Sequence, residues 1–201
     1  MAGIGLYGVY YSKATVADGI VTGYSGIQQM GKAISANFER VDADNNPLYA
    51  NNAIAENDAS SGSGGTLTLT LDKITQTAVA DLFGLTQKTS AVPVNGTSVS
   101  GTGFDWDGTE QSAPVGVAFI KWHQESDNRN KHEVVLFRNV SFNPPDLEGQ
   151  TMGETIEWQT PELTGSVVGA DGTNPWFVTR VFPSQAAALQ FITNQFASSG
   201  T

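Results

Sequence analysis

The chain has 201 residues, of which 39% are hydrophobic, 9% aromatic and only 15% charged, against about 25% charged residues in typical soluble domains. Twenty acidic residues against ten basic ones give a net charge of -10, so the surface repels phosphate and does not favour a basic nucleic-acid groove. Cysteine is absent, which excludes disulfides and thiolate metal sites.

The N-terminal segment MAGIGLYGVYY lacks the basic start and the long apolar core of a signal peptide. Elsewhere, no apolar run approaches the ~20 residues that a membrane-spanning helix needs. We therefore expect a protein that is made in a cytoplasm and does not enter a membrane.

Strict alternation of apolar and polar residues begins at residues 33–41, which predicts a strand with Ile34, Ala36 and Phe38 on its buried face. The next segment, residues 42–65, is polar, contains two Asn-Asn pairs and ends in a Ser/Gly run. We predict a long loop there. A compact domain rarely keeps about two dozen residues of structureless loop unless the loop has a function.

Residues 66–71 alternate threonine with leucine, which predicts a second strand with its leucines in the core. Asp72 is expected to cap a short helix whose C-terminal stop is Gly84. The following segment, residues 86–114, is rich in Gly, Ser and Thr and is expected to be an insert-like region with at most short strands.

The second half of the chain continues the strand pattern. Residues 115–122 are apolar on both faces, as in a covered central strand, and a polar hairpin turn connects them to residues 133–142. Two alternating segments, residues 155–160 and 162–168, are separated by Pro161, which suits a bend or a sheet edge.

The last predicted element is a helix over residues 184–197, capped by Ser184 and carrying an apolar stripe made of Ala188, Leu189, Ile192 and Phe196. No linker divides the chain. The sequence therefore predicts one mainly β domain over residues 1–201, a single β-sandwich or barrel with one flanking α-helix and a short C-terminal helix.

Metal chemistry has weak support in this sequence. His123 and His132 flank the polar turn, where Glu125 and Asp127 would be further ligands, but strand-end histidines in a solvated hairpin are the commoner arrangement. A calcium-loop pattern beginning at residue 42 fails at its glycine and glutamate positions. We predict no metal site and no cofactor.

The polar faces of the alternating strands carry neither lysine nor arginine. Strands exposed to water often use lysine against edge pairing, so smooth, slightly negative faces suggest a surface past which a polyanion moves without binding. An acidic surface that serves only solubility is the alternative. The face residues are Ser35, Asn37, Glu39, Thr66, Thr68, Thr70, Thr155, Glu157, Gln159, Glu162, Thr164 and Ser166.

A set of segments, in the same order along residues 31–168, resembles the major tail proteins of long non-contractile-tailed phages (siphovirus type), which are the subunits of the tail tube. The segments are GKAISANFE, LYANNAIAEND, SGGTLTLTLDKITQTAVADLFG, VGVAFIKW, LFRNVSF and GETIEWQTPELTGSV. The most specific residues are Leu48, Tyr49, Glu56, Gly64, Gly65, Asp81, Leu82, Gly84, Gly153, Glu154, Thr160, Pro161 and Leu163.

The resemblance implies a non-catalytic virion protein with the tail-tube type of β-sandwich. Its subunits assemble into hexameric rings that stack into a tube in the host bacterial cytoplasm, around a tape-measure protein and between tail-tip and terminator proteins. Double-stranded DNA then passes through the tube into the host without specific binding. The polar faces would line that channel.

The long loop would then fasten neighbouring subunits. The predicted contact residues are Leu48, Tyr49, Ile54, Glu56 and Asp58. A hinge at Gly62, Gly64 and Gly65 would free the loop to reach across, and its acids would meet the bases Lys121, Arg129 and Lys131 of an adjacent subunit.

Two other functions remain open from the sequence. A carbohydrate-binding β-sandwich would use loop tryptophans as stacking platforms; Trp106 and Trp176 are the candidates, since Trp122 and Trp158 lie in predicted strands. Third, a glycosidase would need paired carboxylates such as Glu154 and Glu157 at a fixed separation.

Overall fold

The computed structural model describes residues 2–41, 45–50, 53–59, 64–124, 130–146, 159–169 and 175–197. Strands dominate this part of the chain, as the alternation predicts. The strands of the first half are β1 (Ala2–Ala17), β2 (Ile20–Tyr24), β3 (Gln28–Gly31), β4 (Ala33–Arg40), β5 (Asn45–Ala50), β6 (Ala53–Ala59) and β7 (Gly64–Leu71).

The second half adds two helices and the remaining strands. These elements are α1 (Gln76–Phe83), β8 (Lys88–Val94), β9 (Thr97–Gly103), β10 (Val115–Gln124), β11 (Asn130–Phe142), β12 (Glu162–Val168), β13 (Phe177–Phe182) and α2 (Gln185–Ala197). The chain is therefore mainly β, with a helix between strands and a helix near its end.

Nine strands form one antiparallel sheet in the order β2-β1-β10-β11-β12-β7-β4, with β3 also paired to β1 and β13 also paired to β11. Only Lys32 separates β3 from β4. Since β3 pairs with β1 and β4 lies at the opposite end of the order, this short connection draws the two ends of the sheet together.

The inner core is built by the leucines of β7 and by apolar residues of β1, β10 and β11. Leu67, Leu69 and Leu71 are fully buried, which confirms the prediction from the Thr/Leu alternation. Fully burying such a side chain contributes about 1.5–3 kcal/mol. On α1, Ala78 and Leu82 close this core from one side.

A second core lies between α2 and the outer face of β10, β11 and β13. Ala188, Ile192 and Phe196 are completely buried there, at the i, i+4 spacing of one helical face. Leu189, predicted in the same stripe, is only partly buried. Ser184 Oγ accepts a hydrogen bond from Ala187 N at 3.3 Å, which confirms the predicted cap.

The prediction for strand β4 is wrong at Ile34. The ladder with β7 shifts register between Ala33 and Ser35, so that a β-bulge places an extra residue at this point. Ile34 is 52% exposed as a result. Ala36 and Phe38 pack against the inner core as predicted.

The segment predicted as a long loop and the segment predicted to have at most short strands each contain a hairpin. Within residues 42–65, β5 pairs with β6, and within residues 86–114, β8 pairs with β9 through an Asn95-Gly96 turn with positive φ at both residues. Asn-Gly is the preferred sequence for this kind of two-residue turn, so the second hairpin could have been predicted.

The expected glycine hinge is also wrong in its described part. Gly64 and Gly65 are buried in β7. A Cβ at Gly65 would lie 2.2 Å from Glu39 O, and one at Gly64 would lie 2.5 Å from Val167 O. These glycines allow three strands to approach closely rather than provide freedom of movement; Gly62 lies outside the described residues.

The cap of α1 differs from the prediction. Thr75, three residues after Asp72, has extended φ/ψ and its Oγ1 accepts a hydrogen bond from Ala78 N at 3.2 Å. Asp72 Oδ1 instead accepts bonds from the amides of Lys32 and Lys73, both at 2.8 Å. These bonds lower the pKa of the Asp72 carboxyl, that from Lys32 most strongly. The helix does end at Gly84, in the left-handed conformation as predicted.

Replacing Thr75 with alanine should lower the free energy of unfolding by about 1 kcal/mol, because the amide of Ala78 loses its acceptor. Thr77→Ala is the matched control, since it removes an exposed threonine from the same turn and slightly raises helix propensity. Urea unfolding of both variants measures the difference. Equal stabilities would mean that Thr75 does not cap the helix.

Tyr11 provides a pH-dependent contribution to stability. Its hydroxyl is buried in the inner core and donates to Asp81 Oδ2 at 2.9 Å. Burial first, and then the Asp81 carboxylate, raise the pKa of Tyr11 well above its usual value. Because the folded pKa is the higher one, this stability is present below the unfolded pKa near 10 and is lost as pH rises toward the folded value.

We expect Tyr11→Phe to be less stable than the native chain by about 0.5–1.5 kcal/mol at neutral pH, where one hydrogen bond is lost. The stability difference should narrow above about pH 10. There Tyr11 of the native chain ionises in the unfolded state but stays protonated in the folded state, which favours unfolding, whereas phenylalanine does not ionise in either state. Denaturant unfolding from pH 7 to 11 tests this. A constant difference over that range would contradict it.

Candidate functional site

Three neighbouring strands place their predicted polar residues on one surface. The ladders β4–β7 and β7–β12 align these residues in rows across the sheet, and we call the resulting surface the polar face. Its rows are Ser35-Thr70-Glu162, Asn37-Thr68-Thr164 and Glu39-Thr66-Ser166.

The core fixes the orientation of the polar face. Alternate residues of β7 are the buried leucines, so the threonines between them must point away from the core. On β12, Leu163 and Val167 are buried in the same way. A shift of register by one residue would bury the polar side chains and expose the leucines, which makes the arrangement strongly specified.

Hydrogen bonds within the polar face connect its members. Ser35 Oγ donates to Thr70 Oγ1 at 2.8 Å across the β4–β7 ladder. Along β4, Asn37 Nδ2 donates to Glu39 Oε1 at 3.4 Å. These two bonds orient the side chains of Ser35, Thr70 and Asn37, and most of the surface consists of short neutral side chains.

The charge on the polar face comes from Glu39 and Glu162, which are both exposed. The nearest base in the strands themselves is Arg40. It follows Glu39 on the opposite side of β4, where its guanidinium lies 5.3 Å from the ring centroid of Trp176. The polar face therefore carries carboxylates without basic side chains in its rows.

The remaining predicted face residues are Thr155, Glu157 and Gln159. Thr155 and Glu157 lie outside the described residues. Gln159 is exposed just before β12 and borders a cavity of about 800 Å³, whose lining also includes Pro144, Asp146 and Glu162. This cavity extends the acidic, base-poor character of the surface at the Glu162 end.

The two histidines lie on opposite sides of the sheet. His123 Nε2 is 2.8 Å from Glu133 Oε2, whereas the His132 ring lies 6.1 Å from the ring of Tyr7, beside α2's core. Glu125 and Asp127 are outside the described residues. Within the described ranges, no group of three or more His, Cys, Asp or Glu side chains is arranged to hold a metal ion.

The tryptophans differ in their suitability as stacking platforms. Trp176 lies in a bend just before β13, outside the strands as predicted, and its ring packs on the inner core against Phe38 at 5.7 Å between ring centroids. Trp106 is 45% exposed, and its ring packs against the ring of Phe83. Both carboxylates of the predicted glycosidase pair, Glu154 and Glu157, lie outside the described residues.

The turn after Trp106 satisfies its own polar groups. Asp107 Oδ1 accepts from Thr109 N and Thr109 Oγ1, and Glu110 accepts from the amide of Gly108. These bonds are typical of a tight Asp-Gly turn. The carboxylates of Asp107 and Glu110 therefore stabilise the turn.

The predicted interface residues lie on the β5–β6 hairpin. In its register Tyr49 is opposite Ile54, Leu48 is opposite Glu56, and Asn46 is opposite Asp58. The hairpin forms a two-stranded sheet of its own between the end of β4 and the start of β7. Along the chain, the hairpin lies between β4, which carries Glu39, and β7, which carries Thr66.

A scan against models of known protein families finds no match to this chain, and a search of curated proteins finds none either. In the part of the chain that the structure describes, no helix is long and apolar enough to cross a membrane.

Proposed function

We propose that the chain is a structural subunit of a phage tail tube, which forms stacked hexameric rings around a channel for double-stranded DNA. The observation that supports this most is the polar face, where separately predicted strand faces lie side by side with two carboxylates and no base in their rows. The proposed role is structural, so it requires neither catalysis nor a cofactor.

The chemistry of the polar face suits a channel wall for DNA. A phosphate backbone binds proteins chiefly through lysine and arginine, with release of counterions. Hydroxyl groups, amides and two carboxylates offer no cation for such contacts. A duplex can therefore stay hydrated and move along this surface, and the carboxylates repel it weakly from the wall.

The edge of β4 supports assembly into a ring. β4 pairs with β7 on one side, and among the described strands no ladder occupies its other side. Natural edge strands usually carry lysines or prolines against pairing with another chain. β4 has Arg40 as its only base and contains no proline, so a neighbouring subunit can continue the sheet and close it around the channel.

The proposed partners follow from the same assembly. Copies of the chain would surround a tape-measure protein, and tail-tip and terminator proteins would cover the ends of the tube in the virion. The bulk charge of -10 agrees with a protein that does not bind DNA while it assembles in the host cytoplasm.

Electron microscopy of the purified protein tests the proposal. We expect rings or tubes at high protein concentration or after addition of a tail-tip initiator, and light scattering should follow their growth from monomers. A protein that stays monomeric under every such condition would contradict the tube. Binding of oligosaccharides by the monomer, measured by calorimetry, would favour the carbohydrate-binding alternative.

A further inference from the structure

The turn of hairpin β8–β9 has a chemical feature that the proposed tube does not use. It consists of Asn95 and Gly96, the one place in the chain where glycine follows asparagine. Both residues are exposed and both have positive φ, 50° at Asn95 and 82° at Gly96. Positive φ is uncommon outside glycine, and asparagine is among the few residues that adopt it readily. The turn therefore presents an asparagine side-chain amide beside the main-chain nitrogen of a glycine.

The main-chain nitrogen of Gly96 is open to water. The register pairs Val94 with Thr97, so the β8–β9 ladder ends at these residues and leaves the Gly96 amide outside it. A Cβ built at Gly96 would meet no atom within 4 Å, which shows that the space around this residue is free. Glycine also has no side chain of its own to crowd the nitrogen.

The hairpin can reach conformations other than the one described. β8 and β9 form a two-stranded sheet that pairs with no other described strand, and every residue of β8 is exposed. A two-stranded hairpin of this kind is marginally stable in water, so its turn opens often. Each opening gives the Asn95 side chain the freedom to approach the Gly96 nitrogen.

We propose that Asn95 is a site of spontaneous deamidation. The Gly96 nitrogen loses its proton to hydroxide and forms a bond to Cγ of Asn95, while the bond from Cγ to Nδ2 breaks and ammonia leaves. Water then adds to one of the two carbonyl groups of the resulting succinimide ring and opens it to aspartate or to isoaspartate. One water is consumed and one ammonia is released, so the conversion needs no enzyme, oxidant or cofactor.

The two products differ in their effect on the hairpin. Aspartate suits the turn, because Asp18 and Gly19 between β1 and β2 adopt similar φ values, 54° and 81°. Isoaspartate lengthens the main chain, and since turn type and loop length fix the register of a hairpin, it disturbs the pairing of Val94 with Thr97. Both products add a negative charge to residues 89–104, a segment without any charged residue.

Two other asparagines provide controls within the same chain. Asn37 is exposed on β4, but it is followed by Phe38, whose side chain crowds the main-chain nitrogen, and the ladder with β7 holds the strand. Asn143 is exposed and is followed by Pro144, which has no N–H to lose. Neither residue should deamidate at a rate comparable with that of Asn95.

Mass spectrometry of the native protein after incubation tests the proposal. At mildly alkaline pH, the tryptic peptide of residues 89–121 should gain about 1 Da in a growing share of molecules. The gain should be slower at mildly acidic pH, because the attacking nitrogen must first lose its proton. The chain unfolded in guanidinium chloride gives the reference rate. Conversion of the unfolded chain with none in the native chain, or equal conversion at Asn37, would overturn the proposal.

Isoelectric focusing identifies the modified residue. Incubated native protein should develop a species that focuses with fresh Asn95→Asp, whereas incubated Asn95→Gln should not, since glutamine must close a larger ring that forms more slowly. Residue 95 is exposed and lies outside both cores, so the circular dichroism of both variants should match that of the native chain. An equal acidic shift in incubated Asn95→Gln would place the modification elsewhere and contradict the proposal. These measurements do not depend on whether tubes form.

Discussion

Tubes in which Glu39 and Glu162 are both replaced by lysine should retain DNA that native tubes release. Each substitution converts a carboxylate on the polar face into a cation that can contact phosphate. Because each phosphate contact adds about 0.9 to the slope of log affinity against log salt concentration, retention should be strong in low salt and weak in high salt. In particles, genome ejection through the variant tube should be slower.

Two single variants with the same change of charge distinguish the effect of position on DNA retention from the effect of total charge. Glu162→Lys changes the charge on the polar face, and Asp105→Lys makes the same change on an exposed acid that pairs only with Lys88 at the surface. Loss of such a surface pair costs about 0–1 kcal/mol, so both variants should fold. If DNA retention rises equally for the two, or for neither, the polar face does not line the channel.

The sequence could predict the polar faces of single strands but not their position beside one another. Alternation within residues 66–71 is a local property, and it correctly identified the side of β7 that is buried. The neighbours of β7 are β4 and β12, which are distant in sequence. Their pairing depends on long-range contacts that leave no periodic signal in either strand.

The bulge in β4 and the cap of α1 could not be predicted for a different reason. The bulge at Ile34 leaves no signal in the sequence, because an isoleucine at that position fits the alternation expected of a buried face. Asp72 does not cap α1 because its carboxylate accepts hydrogen bonds from the amides of Lys32 and Lys73 instead. Such choices are decided by hydrogen bonds to other elements, which the sequence alone does not reveal.

Hairpin β5–β6 should be required for assembly, and replacing Tyr49 and Ile54 with alanine should abolish tube formation. These residues are direct register partners in a two-stranded sheet that pairs with no other described strand. An isolated hairpin is marginally stable in water, so a neighbouring subunit that binds it would also order it, and burial of the two side chains would offset the lost conformational entropy.

Hydrogen exchange should show where that ordering occurs. Amides of residues 46–58 should exchange quickly in the free subunit, because a marginal hairpin opens often, and should become protected in tubes. Amides of β7 should be protected in both states, since β7 is paired on both sides. Equal exchange of the hairpin in the two states would remove it from the interface.

The second hairpin supplies the matched control for the substitutions. Val92 and Val99 are direct register partners in β8–β9 and are 55% and 49% exposed. Val92→Ala with Val99→Ala therefore truncates an equivalent cross-strand pair, and we expect tubes to form normally. Circular dichroism should show a folded monomer for both double variants, so that loss of tubes reports on assembly. Normal tubes from the Tyr49, Ile54 variant would show that this hairpin only connects β4 to β7.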